Sequence, residues 1–575
     1  MEHYTPRQRA TQRWGALKRE RSSWERRWMD IRDYVLPFSG RYSSTDRNRG
    51  DKTFSKIIDS SAGGALDILS AGMMAGMTSP ARPWFRLATP DTTLMEVDSV
   101  KKWLNDVAEL MREVFARSNT YRALHVMYEE LGAFCTAVNI VDDNYESVIW
   151  NTPLTNGEYA IATDHLGRVN TLAREFEYTV AQVVEEFVYG GDWAAKPDWS
   201  KVSTTVKNLW DTHKAYENWV PILHLIEPRS LRQRDLEYGR GKMAKNKPFA
   251  SCYYELGCDE EKVLLESGYD EFPVLSPRWH TRGRDVYGHG PGFKALGDIK
   301  QLQHEQLRKG QAIDYMVKPA LGLPGEAKGR ESNFLPGGVT YMGSAQTAPK
   351  GAALFNPTLD LQHLLLDIED VRKRINRAFY ADLFLMISQD QRRMPVTARE
   401  IAERHEEKLL MLGPVLERLH DEMLSPLIDS TFAKLVRAGV LPDPPQEMQG
   451  MDLKIEFVST LAQAQRAVGL GSVDRLIGTV TLIAQGKQDP AIFDKLDMDR
   501  VIDKYADMLV VDPSLIVTDD KIAIIRDQRA KAQAQAQAAQ NAQMQAETAA
   551  KLASAKTGEE QNALTDVMRQ FQGYT

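Results

Sequence analysis

Apolar residues recur at helical spacing from the start of the chain. Thr5 and Gln8 match a capping box, with Pro6 at the first helical position, and this pattern predicts the start of a helix. The apolar stripe of this helix consists of Trp14, Leu17, Trp24, Trp28, Ile31 and Val35. Its other side is basic and could bind nucleic acid, but a tryptophan stripe is more typical of a helix docked onto a protein core. We therefore predict that this helix docks onto the protein core through its tryptophan stripe.

The pattern changes to alternation after residue 138. Runs rich in β-branched and aromatic residues, such as FASCYYELG at 249–257, predict strands between 138 and 279, with one helix at 180–189. Helices are predicted before this region, over 54–77, 100–115 and 121–135. The sequence therefore predicts an α+β fold that is mainly helical.

Two long helices are predicted next. The first follows the loop YGHGPG at 287–292 and runs from 293 to 318, and the second runs from 358 to 384. Each has about 26 residues and a length of about 40 Å. The Gly- and Pro-rich stretch 319–357 lies between them, with short extended pieces. Two long helices joined by an irregular tip form an elongated hairpin, which makes a poor globular core but a good stalk.

A doubly basic, polar loop at 388–395 leads into a further helix. Thr397 and Glu400 form a second capping box at the start of this helix. The dipeptide Gly413-Pro414 interrupts its apolar stripe, and because proline removes a helical hydrogen bond we predict a kink there. A basic loop that feeds a kinked helix suggests contact with a passing ligand rather than catalysis.

The C-terminal part is less regular. Prolines at 441–445 mark a boundary, alternation at 453–457 predicts one strand, and helices are predicted over 461–509. Residues 528–556 are dominated by Ala and Gln, which favour a helix but offer no wide apolar face. Such a helix is marginal alone, so we expect it to pack against copies of itself or a partner.

Composition narrows the class of protein. The chain has 575 residues, too many for one core, and its 43% apolar content is that of a soluble globular protein. The net charge of −7 leaves nucleic-acid binding to local basic patches. The chain has three cysteines, Cys135, Cys252 and Cys258, and this small, odd number argues against a disulfide scaffold and fits a reducing compartment. We expect no signal peptide and no membrane span.

Patterns typical of enzymes are largely missing. No phosphate-binding G-x-x-x-x-G-K-[ST] motif occurs, and His405 lacks the second histidine of a zinc helix. Asp142, Asp143 and Asp164 could be imagined as a metal site, but turn carboxylates between strands explain them equally well. We predict no catalytic residues, no metal site and no cofactor.

The order of these elements resembles the portal, or head-to-tail connector, proteins of short-tailed bacteriophages. Three segments carry the resemblance: YGHGPGFKALGDIKQLQHEQLRKGQAIDYMVKPAL at 287–321, MPVTAREIAERHEEKLLMLGPVLERLHDEMLSPLI at 394–428, and IIRDQRAKAQAQAQ at 524–537. The second is the most specific of the three.

The resemblance implies a protomer that assembles as a ring, typically of twelve copies, at one capsid vertex. Its parts would be a wing (1–286), a first stem helix (287–318), a clip (319–357), a second stem helix (358–384), a tunnel loop (385–396), a kinked helix (397–440), a crown (451–527) and an Ala/Gln-rich barrel helix with its tail (528–575).

The resemblance also implies a site and partners. Arg392 and Arg393, with Gln389 and Gln391, would face the channel and contact double-stranded DNA without sequence preference. The other partners would be the terminase large subunit, the major capsid and scaffold proteins, and tail adaptor proteins, with no membrane. The protein would occupy the portal vertex of the virion, after assembly in the host cytoplasm.

Two alternatives remain from the sequence. One is a scaffold or head-tail adaptor that conducts no DNA, against which the long hairpin and the basic loop argue. The other is a metal-dependent nuclease with an acidic site at Asp142 or Asp164, for which no recognised motif argues.

Overall fold

The computed structural model describes most of the chain, with gaps. The described residues are 5–42, 56–91, 94–229, 247–258, 260–318, 321–324, 339–342, 352–353, 361–389, 412–448, 453–457, 477–483, 500–501, 517, 519–554, 556–558, 561–562 and 568. They form two compact units, Met1–Pro90 with Trp103–Ile477, and Asp91–Lys102 with Gly478–Thr575. Among these residues, no helix combines the length and apolarity that a membrane crossing requires.

Helices and strands are mixed, as the sequence predicts. The helices are α1 (Pro6–Tyr34), α2 (Ser61–Met77), α3 (Asp98–Arg117), α4 (Thr120–Phe134), α5 (Val180–Val183), α6 (Thr204–Asp211), α7 (Pro291–Val317), α8 (Leu361–Ala378), α9 (Ala381–Gln389), α10 (412–419), α11 (Ser425–Ala438) and a C-terminal helix (Asp519–Ser554). The strands are β1 (Phe85–Ala88), β2 (Val138–Asn144), β3 (Val148–Leu154), β4 (Tyr159–Thr163), β5 (Val169–Thr179), β6 (Trp219–Pro228), β7 (Phe249–Glu255), β8 (Leu265–Tyr269), β9 (Val274–Leu275), β10 (Leu321–Pro324), β11 (Val339–Met342), β12 (Ala352–Ala353), β13 (Lys454–Phe457), β14 (Lys556–Gly558) and β15 (Gln561–Asn562).

The largest sheet is an antiparallel meander of five strands in the order β4-β5-β6-β7-β8. Successive side chains of a strand point to opposite faces, so β6 contributes to two cores. Leu223 and Leu225 pack with Trp14 and Leu17 of α1 on one face. Ile222 packs on the other face against α5, α6 and the π-helical turn Val184–Val188. The tryptophan stripe of α1 thus docks onto a protein core, as predicted.

The start of α1 also follows the prediction. Thr5 and Gln8 form a complete capping box, in which each side chain bonds to the backbone of the other residue, and Pro6 occupies the first turn. The predicted strand at 453–457 is β13, which pairs antiparallel with β1 across more than 350 residues of chain. The three cysteines are free thiols.

Glycines allow the loop at 287–292 to pass close to the end of α4. A Cβ atom on Gly288 would lie 2.1 Å from the carbonyl oxygen of Cys135, and one on Gly292 would lie 2.0 Å from that of Ala133. Cys135 itself ends α4 in a left-handed conformation. Only glycine permits this approach, which fixes the start of α7 against α4.

The long hairpin is present, but its second half differs from the prediction. Helices α7 and α8 pack together, and Arg374 of α8 forms a salt bridge of 3.4 Å with Asp298 of α7. The prediction of a single helix over 358–384 is wrong. The helix is interrupted at Tyr380, whose φ is +56°, and the chain continues as the separate helix α9. Tyr380 stacks on Trp279 at 5.9 Å, a tertiary contact that the sequence pattern does not encode.

The two ends of the Gly- and Pro-rich stretch are extended. β10 pairs with β11 in parallel and with β12 antiparallel, which gives a three-stranded sheet within the predicted clip. In the second unit, the C-terminal helix is 36 residues long, and nearly all of its described side chains are exposed. The prediction of a helix without a buried face is confirmed for this segment.

A buried carboxylate connects α4 to the segment after α1. Glu130 is 2% exposed and accepts hydrogen bonds from the hydroxyls of Ser39 and Thr155 and from the backbone N–H of Asn156. Burial raises the pKa of Glu130 to about 7, although these hydrogen bonds act to lower it.

We expect Glu130 to make the stability of the fold depend on pH. The folded state keeps a proton on Glu130 between about pH 4.5, the ordinary pKa, and about pH 7, so stability falls as pH rises through this interval. Glu130→Gln removes the titration and should reduce the loss of thermal stability between pH 5 and pH 8, by at most roughly 3 kcal/mol. Thermal unfolding at fixed protein concentration measures this, with Glu20→Gln on the exposed side of α1 as control. Equal pH responses of the wild type and Glu130→Gln would contradict the prediction.

Candidate channel segment and its anchors

Of the four predicted channel residues, the structure describes only Gln389. Gln391, Arg392 and Arg393 lie within 390–411, outside the described residues, as do the second capping box and His405. Gln389 is the last residue of α9, so it belongs to a helix rather than to the loop in which the sequence placed it. The structure therefore defines the two anchors of the segment, α9 before it and α10 after it.

The anchor before the segment is the packing of α9 on α2. Phe384 of α9 lies against Gly72 of α2 so closely that a Cβ atom on Gly72 would be 2.3 Å from the phenyl ring. Leu383 and Phe384 are both buried. The absence of a side chain at Gly72 therefore allows α9 to pack closely on α2.

The anchor after the segment is an ion pair between Glu422 and Arg278. The guanidinium of Arg278 donates to Glu422 Oε1 at 2.6 Å and to Oε2 at 3.2 Å, and the backbone N–H of Arg278 donates to Oε2 at 2.9 Å. Arg278 also donates to the carbonyl oxygens of Gly167 and Val286. Its side chain is 4% exposed, so the pair is largely shielded from water and its geometry is bidentate.

Glu422 lies in an irregular turn of its helix. Residues His420–Leu424 are π-helical, and the backbone N–H of Ser425 donates to the carbonyl oxygen of His420, five residues earlier. Pro426 follows directly, and its ring would crowd the carbonyl of Glu422 in a regular helix. The sequence predicts the irregularity at Gly413-Pro414, whose preceding turn lies outside the described residues, and it misses the one at Pro426.

Helix α11 continues the same anchor. The ammonium group of Lys434 is buried, donates to the carbonyl oxygen of Val141 at 2.8 Å, and lies 3.1 Å from the carboxylate of Asp143. Burial lowers the pKa of Lys434, against the raising effect of Asp143. The helical region after segment 390–411 is thus held at two places, by Glu422 to Arg278 and by Lys434 to β2.

A third network joins the base of the hairpin to the start of α2. The carboxylate of Asp59 accepts from the N–H of Ser61 at 2.9 Å, from Gln306 of α7 at 2.9 Å and from Arg372 of α8 at 2.6 Å. Gln303 of α7 bonds to the backbone N–H and C=O of Asp59. Burial acts to raise the pKa of Asp59, but the hydrogen bonds from Ser61 and Arg372 outweigh it and the pKa is lowered.

The carboxylates considered as a metal site have other partners. Asp142 accepts from the hydroxyl of Tyr269 at 2.7 Å, Asp143 pairs with Lys434, and Asp164 accepts from the backbone N–H groups of Leu166 and Arg168 in a turn. Within the described ranges, no group of three or more His, Cys, Asp or Glu residues is arranged to hold a metal ion. Asp164 therefore has the turn role that the sequence left open.

The comparison with protein families covers all of these anchors. Residues 7–517 match the family described as "Bacteriophage head to tail connecting protein". The chain belongs to this family. It is 53% identical over its whole length to the "Probable portal protein" of Bordetella phage BPP-1, which is also matched in full. It is 44% identical to the "Portal protein" of Salmonella phage epsilon15, over 98% of each chain.

Family membership confirms the resemblance drawn from the sequence. The family match takes in α1, the hairpin, both anchors and the undescribed segment 390–411, and it ends before the C-terminal helix. Both relatives match the C-terminal region as well. The role of this chain is accordingly that of a phage portal, a structural head-to-tail connector.

We expect the Arg278–Glu422 pair to control the stability of the second anchor. Glu422→Ala leaves a buried guanidinium without its carboxylate and should destabilise the fold by about 3 kcal/mol. Glu417→Ala removes an exposed carboxylate from the same helix and should change stability by less than about 0.5 kcal/mol. Thermal or urea unfolding at equal protein concentration compares the two. Equal effects of the two substitutions would show that the pair is not an anchor.

Proposed function

We propose that twelve copies of this chain form a closed ring around an axial channel at one vertex of the phage capsid. Double-stranded DNA would be packaged, retained and ejected through this channel. The ring would be part of the virion after assembly in the host cytoplasm. The description of the family and the names of the two relatives support this proposal.

One observation carries the proposal: the hairpin has apolar side chains that the described residues of the chain leave exposed. On α7 these are Leu307, Ile313, Met316 and Val317, and on α8 they are Leu365 and Leu366. Burial of such side chains contributes about 25 cal/mol for each Å² removed from water. Exposed apolar surface concentrated on two paired helices is typical of a protein interface.

A closed ring suits this exposed surface. In a ring, one side of each subunit meets a different side of the next, so the outer side of α7 can face the outer side of α8 of a neighbouring copy. The C-terminal helix has the same need, because its small, exposed side chains permit close approach of parallel copies. Repetition around an axis would turn a stalk into a wall, and the C-terminal helices into a barrel.

Arg392 and Arg393 would supply the DNA contact, with Gln389 and Gln391 beside them. Arginine binds phosphate by charge and hydrogen bonds and reads no base sequence, which lets the duplex slide. Gly413-Pro414 would bend the chain away from the channel. These roles rest on the sequence, and α9 and α10 support them by holding both ends of segment 390–411.

The remaining partners would bind at the periphery. We propose that the terminase large subunit binds the clip, 319–357. Residues 451–527 would form the crown. Major capsid, scaffold and tail adaptor proteins would bind the ring from outside. Energy for packaging would come from the terminase ATPase, so the portal needs no catalytic residue, and the partners of Asp142, Asp143 and Asp164 support a structural role.

We expect the assembled protein to scatter light as a ring of 12 × 64.9 kDa, about 780 kDa. Leu366→Glu should prevent or weaken assembly, because it places a charge on the exposed apolar side of α8. Leu166→Glu is the matched control, since Leu166 is 64% exposed and Leu366 63%, and it should leave the ring intact. A monomer or dimer under all assembly conditions would contradict the ring, and equal assembly of both variants would contradict the role of α8.

We expect Arg392→Ala/Arg393→Ala to leave rings intact and to alter DNA packaging or retention. The physical reason is the loss of two phosphate contacts in every subunit. Packaged DNA per particle, measured in assembled phage, tests this, with Arg19→Ala/Arg26→Ala on the exposed side of α1 as a charge-matched control. Normal packaging and retention by the Arg392→Ala/Arg393→Ala particles would exclude the channel role of these residues.

A further inference from the structure

Three separate segments bring positive charge to one place next to the second anchor. His280 and His289 are joined by two backbone hydrogen bonds of 3.1 and 2.7 Å, so the chain folds back on itself between them. Arg282 lies in the turn, and Lys294 lies in the first turn of α7, where its N–H donates to the carbonyl oxygen of Gly290. Both charged side chains belong to exposed residues.

The third segment is α10. Arg418 donates to Glu422 Oε1 at 3.0 Å, and the same oxygen accepts from Arg278 at 2.6 Å. Because Arg278 precedes His280 by two residues, this shared carboxylate places Arg418 beside the turn that contains Arg282. All three cations lie close enough to the imidazole of His280 to affect it. The pKa of His280 is lowered first by burial and then by Lys294, Arg418 and Arg282.

Within the described residues this positive charge is only partly paired. Arg278 and Arg418 share the single carboxylate of Glu422. The nearby carboxylate of Asp285 is bonded to His289. No carboxylate of the described residues forms a salt bridge with Arg282 or Lys294. Like charges held together in this way repel one another, which favours the binding of an anion from outside the chain.

We propose that Arg282, Lys294 and Arg418 form a second contact for the phosphate backbone of double-stranded DNA, separate from Arg392 and Arg393. The proposal rests on the function proposed above, in which DNA passes the segment 390–411. Arg418 lies on the helix that leaves this segment, about 9 Å along its axis from residue 412, the first that the structure describes there. Duplex DNA carries one charge for about every 1.7 Å of its axis, so DNA near the segment also presents phosphates to this cluster.

The cluster is suited to phosphate and indifferent to base sequence. A guanidinium presents a planar fork that matches two phosphate oxygens, and the ammonium of lysine acts as a point charge. Neither Arg282 nor Lys294 gives up a salt bridge within the described chain to bind. Phosphate binding at Arg282 and Lys294 would therefore release counterions without breaking an ion pair of the described residues.

Salt dependence of DNA binding tests the proposal on the full-length ring. The probe is a double-stranded oligonucleotide, bound to the wild type, Arg282→Gln/Lys294→Gln and the control Lys196→Gln/Lys207→Gln, which removes the same charge from exposed lysines near α6. Each lost phosphate contact should reduce the slope of log K against log salt by about 0.9. We expect a smaller slope and roughly ten-fold or more weaker binding at 0.1 M salt for the first variant only.

The other outcomes are distinct. Equal slopes for all three proteins, or equal losses for both variants, would overturn the proposal. If Arg282→Gln/Lys294→Gln disturbs ring assembly and leaves the DNA slope unchanged, the cluster binds a carboxylate of another protein copy instead. Arg282→Lys/Lys294→Arg keeps the charge and should bind DNA like the wild type even where the glutamine variant fails to assemble. If the wild-type ring binds no DNA at all, the proposed channel function fails together with this site.

Discussion

The buried ion pair between Arg278 and Glu422 is the constraint on which the rest of the site depends. It joins the helix after the channel segment to the strand region that also supports α7 and the turn at 280–289. A buried pair with good geometry is not a large source of stability, because desolvation offsets most of the attraction. The pair instead fixes the position of the helix, since moving the helix away would leave a buried charge without its partner. The orientation of α10 is thereby fixed, whatever passes beside it.

The hairpin of α7 and α8 combines a network of buried polar contacts at one end with exposed apolar side chains farther along. Its base is tied down by the Asp59 network, in which α2, α7 and α8 share one buried carboxylate. Farther from this base, the described residues of the hairpin expose the apolar side chains of Met316, Val317 and Leu366. In the proposed ring, neighbouring copies would cover these side chains, and folding and assembly would then be coupled.

Local signals in the sequence predicted the elements that local physics determines. The capping box of Thr5 and Gln8, the strands of the meander and the exposed Ala/Gln helix all follow from short-range patterns. The break at Tyr380 did not, because no Gly or Pro marks it and stacking on Trp279 is a tertiary contact. The anchors were equally hidden. The partners are far apart in sequence in both ion pairs, Asp59–Arg372 and Arg278–Glu422. No local pattern in a single sequence shows that such residues meet.

The charge distribution connects the two proposed DNA contacts. The chain has a net charge of −7, so its long-range field repels DNA and attraction must come from local clusters. At physiological salt such a cluster acts over about 8 Å, which is less than the width of a duplex. Cations at the base of the channel segment would therefore act on passing phosphates without holding the duplex elsewhere. Weak contacts repeated around a ring can centre DNA and still let it slide, because each contact exchanges one phosphate for the next at little cost. A uniformly basic wall would instead resist movement, so in the proposed channel the acidic remainder of the chain would help DNA to slide.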